Sequence, residues 1–324
     1  MSESINKISG PLNALTAAAV TLLLIAGILG GLSLFSWLLL FPLLSLYVGE
    51  RRGWALCAGG ILGAVGFFLF PEGRFFLLTL LALLLVVVPV MGESIRRKAT
   101  PFSQILLGAL AFWLAIVIGM FLWNIFFMEG KLFQQLEEGI STLLRQSADQ
   151  LQQEFPSVEI GGPEGDLRIA EMSKAAAESF WGLLFLLALA FSWFNVGCSR
   201  SFLYRSKGRP GPLPFCRFLV PREFAMALTL LLAVLWGFPL LGIAIPDFVC
   251  RSGELAIVGL FVMNGLAFLD SRFVERIPLW LRILVAMILV PLPLVPDIIG
   301  ILGWSDALMR FRFGRSKGDR YGTK

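Results

Sequence analysis

Histidine does not occur anywhere in the 324 residues. Without an imidazole the chain lacks the commonest general base and metal ligand, which sets aside most hydrolytic and zinc-dependent chemistry. Cysteine is scarce: Cys57, Cys198, Cys216 and Cys250 stand far apart. With no C-x-x-C spacing they indicate neither a zinc ribbon nor a disulfide framework, and they read as structural. Charge is thin as well, at 15% of residues, where a soluble domain carries about a quarter. Tyr (3) is rare although Phe (29) and Gly (33) abound, a balance that suits helices in hydrocarbon better than a water-facing shell. No phosphate-binding loop, dinucleotide fingerprint or nucleophile with a base partner is present. The expectation is a protein that is not an enzyme, needs no cofactor or metal, does not bind nucleic acid and is no ATP-driven pump on its own.

What is there is apolar. Hydrophobic residues make up 57% of the chain and the mean hydropathy is +0.81. The apolar runs are continuous rather than alternating, which excludes an outer-membrane barrel and leaves helices, whose backbone groups are satisfied within each segment. A crossing needs about 20 such residues. The tract Leu12–Val48 is too long for one crossing, and Gly30, Gly31 and Ser33 near its middle predict a hairpin of two helices. Lys7 precedes it like the start of a signal sequence, yet without a convincing cleavage site it reads as an uncleaved first helix. Further spans are expected at about Trp54–Phe70, Phe75–Gly92 and Phe102–Phe127, with Arg51/Arg52 and Arg96–Lys98 as polar knots between them.

The segment Glu129–Glu178 differs in kind, with ten acidic residues against four basic ones. Within it Leu132, Leu136, Ile140, Leu143, Leu144, Leu151 and Phe155 recur at three- and four-residue intervals, which predicts an amphipathic helix over about Leu132–Phe155 lying on the membrane surface or over the bundle. Pro156 ends it, and Asp166 is expected to cap a second short helix leading to Phe180. A sixth span follows to about Gly197, then a basic loop with Arg200, Arg205, Lys207, Arg209, Arg217 and Arg222. Spans seven (about Phe224–Ile245) and eight (about Leu255–Leu269) enclose a small loop with Asp247, Arg251 and Glu254. The last apolar tract, Leu281–Trp304, is interrupted by Pro291, Pro293 and Pro296, and a tail with six basic residues and one acid begins at Arg310.

Together these give an all-α, polytopic transmembrane bundle of about eight spans plus a broken or re-entrant C-terminal element, with an amphipathic extracytoplasmic helix. Its parts are a bundle at 1–128, an acidic extracytoplasmic segment at 129–178, a second bundle at 179–309 and a basic cytoplasmic tail at 310–324. The bias of Lys and Arg toward the cytoplasm puts the basic knots, the Arg200–Arg222 loop, the amino terminus and the tail inside a bacterial inner membrane.

Ionisable groups deep in a membrane are costly, so each is a functional candidate. Asp297, directly after the proline break, is one. It reads either as a ligand lining a cavity opened by the break or as the cap of a half-helix beginning at Ile298. Asn124 and Asn264, in spans five and eight, either bind a solute or tie two helices together. Asp270, Asp306, Arg310 and Arg312 read as anchors at the membrane border. Small residues at four-residue spacing, Ala14/Ala18, Gly27/Gly31 and Gly59/Gly63, allow close helix packing or docking of a partner.

Three stretches, LFPLLSLYVGERRGWALCAGGILGAV, Pro221–Arg222–Glu223, and MNGLAFLDSR with IIGILGWSDALMRFRFGR, resemble the YybS-like family of predicted bacterial membrane proteins, a domain of unknown function. That family is distantly similar to the substrate-binding subunits of energy-coupling-factor vitamin transporters. The resemblance implies a helical bundle with a solute cavity toward the outside, and Ala14 and Ala18 docking on a coupling transmembrane subunit that works with ATPases. More spans and the acidic insertion set this chain apart. Two functional classes follow: a solute-binding or transport subunit, and a non-catalytic scaffold or assembly factor that uses its basic loops for membrane lipids or partners and its acidic segment for an external partner.

Overall fold

The structure, a computed structural model, describes residues 40–48, 83–97, 99–127, 131–154, 163–207, 215–273 and 294–311, with isolated positions between 277 and 292. Among them every regular element is helical. The α-helices are α1 (Phe41–Val48), α2 (Val88–Arg96), α3 (Pro101–Phe127), α4 (Leu132–Glu154), α5 (Pro163–Lys207), α6 (Arg222–Leu240), α7 (Asp247–Phe273) and α8 (Val295–Met309). Four of these, α3, α5, α6 and α7, are long and apolar enough to cross a membrane.

Local chemistry sets the ends. A π-helical turn, Leu83–Val87, leads into α2; Pro89 lacks an N–H and crowds the preceding turn, and a wider turn relieves both. At the start of α3 the Thr100 hydroxyl accepts a hydrogen bond from the Ser103 N–H at 3.3 Å and Pro101 takes the first helical position, where no N–H is needed. Gly242, at φ +73°, turns the chain between α6 and α7 in a conformation that side chains with a Cβ resist.

Three elements differ from expectation. The amphipathic helix spans Leu132–Glu154, with the anticipated last residue, Phe155, outside the described residues, but the short capped helix before span six is not separate. α5 starts at Pro163, holds Asp166 in its first turn and runs 45 residues without a break, because no proline lies between Pro163 and Lys207 and Ala175, Ala176 and Ala177 favour helix. Its length of about 68 Å exceeds a hydrocarbon core of about 30 Å. Asp247, Arg251 and Glu254, expected in a loop, lie inside α7, where the acid at the first turn suits the helix dipole. The last tract is broken, with Leu294 left-handed at φ 68° directly before α8. That helix begins three residues ahead of Ile298, so Leu294 and not Asp297 occupies the cap position. Pro296 fits a first turn because its missing N–H has no partner there.

The chain divides into two compact units, one of Met1–Met120, Phe185–Met226 and Gly259–Lys324, the other of Phe121–Leu184 and Ala227–Val258. In the first unit Ile105, Ala109 and Phe112 of α3, Ala188, Leu189 and Val196 of α5, and Phe218, Val220 and Ala267 are fully buried. Phe102 lies 5.8 Å from Phe218 and 5.2 Å from Phe224, ring centre to ring centre. A Cβ on Gly108 would meet the Ser192 hydroxyl and the Met91 side chain, and one on Gly92 would meet the Tyr47 ring, so these glycines make room for side chains of α5, α2 and α1. In the second unit the Gly182 backbone approaches Ser252 just as closely. Lipid tails are as apolar as the side chains they meet, so burial alone does little to hold such helices together. Close contact and interhelical hydrogen bonds do more.

Candidate functional site

Buried polar residues concentrate on α3, α5, α7 and α8 of the first unit. Asn264 is fully buried. Its Oδ1 accepts the Val220 N–H at 3.3 Å and its Nδ2 donates to the Gly303 carbonyl at 2.7 Å, so one amide joins α7 to the segment before α6 and to α8. The join is tight because Gly265 and Gly303 are bare: a Cβ on Gly303 would run into the Phe261 carbonyl oxygen and the Gly265 backbone, and one on Gly265 into Ile299. Asp306, one turn beyond Gly303, is also fully buried, the one carboxylate so placed among the described residues. It was expected at the membrane border. Instead Ile299, Gly300, Gly303, Asp306 and Ala307 form the inward face of α8.

Along the same unit, the Ser192 hydroxyl donates to the Ile105 carbonyl at 2.7 Å, tying α5 to α3. Gln104, 2% exposed, donates from Nε2 to the Ala99 carbonyl at 2.8 Å and accepts at Oε1 from Nη1 of Arg200 at 3.3 Å. Arg200 is thereby held at the end of the apolar part of α5. Arg217 ends the 3-10 turn Phe215–Arg217, whose Phe215 ring packs on Trp193 of α5 at 5.0 Å between centres. The second unit has its own polar contact. The Glu178 carboxylate, 12% exposed, meets Arg251 Nε at 2.9 Å and Lys174 Nζ at 3.8 Å, and the Ser252 hydroxyl donates to the Glu178 carbonyl at 2.7 Å.

Of the residues singled out from the sequence, Asn264 and Asp297 fall in the first unit and Asn124 in the second. Asn264 is enclosed among helices, Asn124 is half-buried on α3, and Asp297 is exposed in the first turn of α8. Ala14, Ala18, Gly27, Gly31, Gly59 and Gly63 lie outside the described residues. Close packing in the described part falls to Gly92, Gly108, Gly182, Gly259, Gly265 and Gly303, no two of which are four residues apart. Glu178 and Gln104 were passed over because each stands at the edge of an apolar run, where a polar residue looks like a boundary.

A bundle of long apolar helices joined by buried amide and hydroxyl bonds defines an α-helical membrane protein. The chain belongs to the family described as predicted membrane protein (DUF2232), whose model matches residues 17–307. Searches of curated proteins and of solved structures found no match.

Proposed function

We propose that the chain is a non-catalytic, multi-pass scaffold or assembly factor of a bacterial inner membrane, with α4 outside and the basic stretch from Arg200 to Arg222 and the tail inside. The supporting observation is the use made of its buried amide. Both ends of Asn264 are occupied in joining helices, as a structural tie requires and as a solute site does not. The outer faces are correspondingly open. Only 11% of the apolar stretch of α6 is buried, against 50% for α3, and α4 keeps Leu136, Ile140 and Leu144 half-exposed along one stripe.

A photo-crosslinking amino acid at Leu230 or Trp236, both exposed on α6, tests the reading in intact cells. Scaffolding predicts a discrete protein adduct at one of these positions and at Leu143 on α4. Lipid adducts alone at all three sites would count against it.

One observation favours a solute-binding subunit instead. Transporters place their substrate sites at breaks in helices, and the break at Leu294 has the exposed Asp297 carboxylate in the following first turn, where it would suit a cationic group. On that reading a coupling subunit with ATPases supplies the energy. Mass spectrometry of small molecules retained by the purified chain, and lost from Asp297→Asn, would support it over scaffolding.

A further inference from the structure

The face of α5 that carries residues 193, 197 and 200 has three properties that coincide. These positions follow one another at four- and three-residue steps, so they line one side of the helix. At its centre Gly197 is half-buried, and a Cβ built on it would meet nothing within 4 Å. Open space therefore lies beside the helix there. One turn toward the amino end, the Trp193 indole packs edge-on to Phe215, ring centres 5.0 Å apart. Its Nε1–H is covered and makes no hydrogen bond, an arrangement that costs about 1–3 kcal/mol. One turn toward the carboxyl end stands Arg200, anchored by buried Gln104, and Arg217 belongs to the same 3-10 turn as the Phe215 that packs on Trp193.

Arg200 is half-buried and Arg217 exposed, two like charges at one end of the open space, where an anion between them is favoured and a guanidinium offers paired donors that match phosphate oxygens. An open slot beside an apolar helix suits an acyl chain. Tryptophan favours the headgroup level, where an amphipathic ring has one wet and one apolar neighbour.

We propose that Arg200 and Arg217 hold the phosphate of an anionic phospholipid whose glycerol and upper acyl chain lie in the slot at Gly197. A small shift of the Phe215 ring lets a headgroup oxygen reach the Trp193 N–H. The site does not depend on the scaffold reading, since a transport subunit would bind the same lipid.

The test is native mass spectrometry of the full chain, delipidated in detergent and titrated with phosphatidylglycerol or with phosphatidylcholine. Phosphatidylglycerol should bind with clear preference, and Arg200→Gln and Arg217→Gln should each weaken it roughly tenfold. Gly197→Leu removes no charge and keeps the Ser201 hydroxyl bond to the residue 197 carbonyl, yet its side chain fills the slot and should weaken binding as strongly. It also keeps the test valid where an arginine variant does not fold. Equal binding of the two lipids, or unchanged phosphatidylglycerol binding by Gly197→Leu, would overturn the proposal. So would displacement of the lipid by millimolar inorganic phosphate, which would mark a site for a free anion.

Discussion

At the scale of single residues the strongest dependence is on atoms that are absent. Gly303 and Gly265 let α8 and α7 touch backbone to backbone, and a methyl group at residue 303 has no room because the neighbouring atoms are main chain. Gly303→Ala should lower stability in detergent by about 1–3 kcal/mol, the usual range for overpacking. Gly237→Ala in α6, where a Cβ meets nothing within 4 Å, should be neutral or stabilising by up to about 1 kcal/mol, because alanine prefers helix. Thermal unfolding of the two variants side by side checks the contrast, and an equal response would mean that the α7–α8 contact is loose. Asn264→Ala belongs to the same comparison. It leaves the Val220 N–H and the Gly303 carbonyl without their buried partner, and a loss of about 1–2 kcal/mol is expected. The sequence already offered the helix-tying role for Asn264, since an amide in an apolar span needs a partner. It did not offer the partner, because Gly303 is far along the chain and glycine carries no pattern of its own.

Among elements, α5 and α7 run parallel through three contacts that keep step: Glu178 with Arg251, Gly182 with Ser252, and Leu186 with Gly259. Small residues at two of these points bring the helices close, and the ion pair closes the first. Arg251 is half-exposed, so solvent screens the pair and the coupling is modest. A double-mutant cycle with Glu178→Gln and Arg251→Gln should give an interaction of about 0.5–1 kcal/mol. A value near zero would show that the glycine contacts alone hold this end. The same helices show why element boundaries were only partly legible. α4 was read almost to its last residue, because its apolar stripe repeats at the helical period over six turns. α7 was read too short at both ends, since Asp247, Arg251 and Glu254 look like water-facing loop residues and Asp270 like an anchor at the membrane border. In the fold they lie on the helix, with Arg251 on the Glu178 carboxylate and Arg272 over the Phe268 ring, 4.9 Å from its centre. Charge on a helix that extends past the hydrocarbon looks the same in sequence as charge in a loop.

For the whole molecule the decisive quantity is on which side the chain ends. α8 has 15 residues, about 22 Å of helix, which is too short to cross a core of about 30 Å. It lies antiparallel to α7, with Ile299 at Gly265 and Gly303 at Phe261, and the left-handed Arg310 stops it. Nη2 of Arg310 then lies 3.9 Å from Glu223 in the first turn of α6. Both groups are exposed, so the contact adds little stability, but it places the start of the tail beside the start of α6, which follows the basic segment after α5. The expected basic loop is shorter than the sequence implied, because Arg200, Arg205 and Lys207 lie on α5. The six basic residues from Arg310 onward argue in the same direction, because segments rich in Lys and Arg stay in the cytoplasm. A tandem reporter, with one enzyme active only in the cytoplasm and one only outside, should therefore give the cytoplasmic signal both after Lys324 and when inserted between Lys207 and Pro214. On the proposed topology, in which α3 crosses and α4 lies on the other face, a cysteine at Ser147 on α4 should meanwhile react with an impermeant reagent in outer-membrane-permeabilised cells. Opposite signals from the two reporters would mean that the last tract crosses fully and that the Arg310–Glu223 contact does not exist in the membrane.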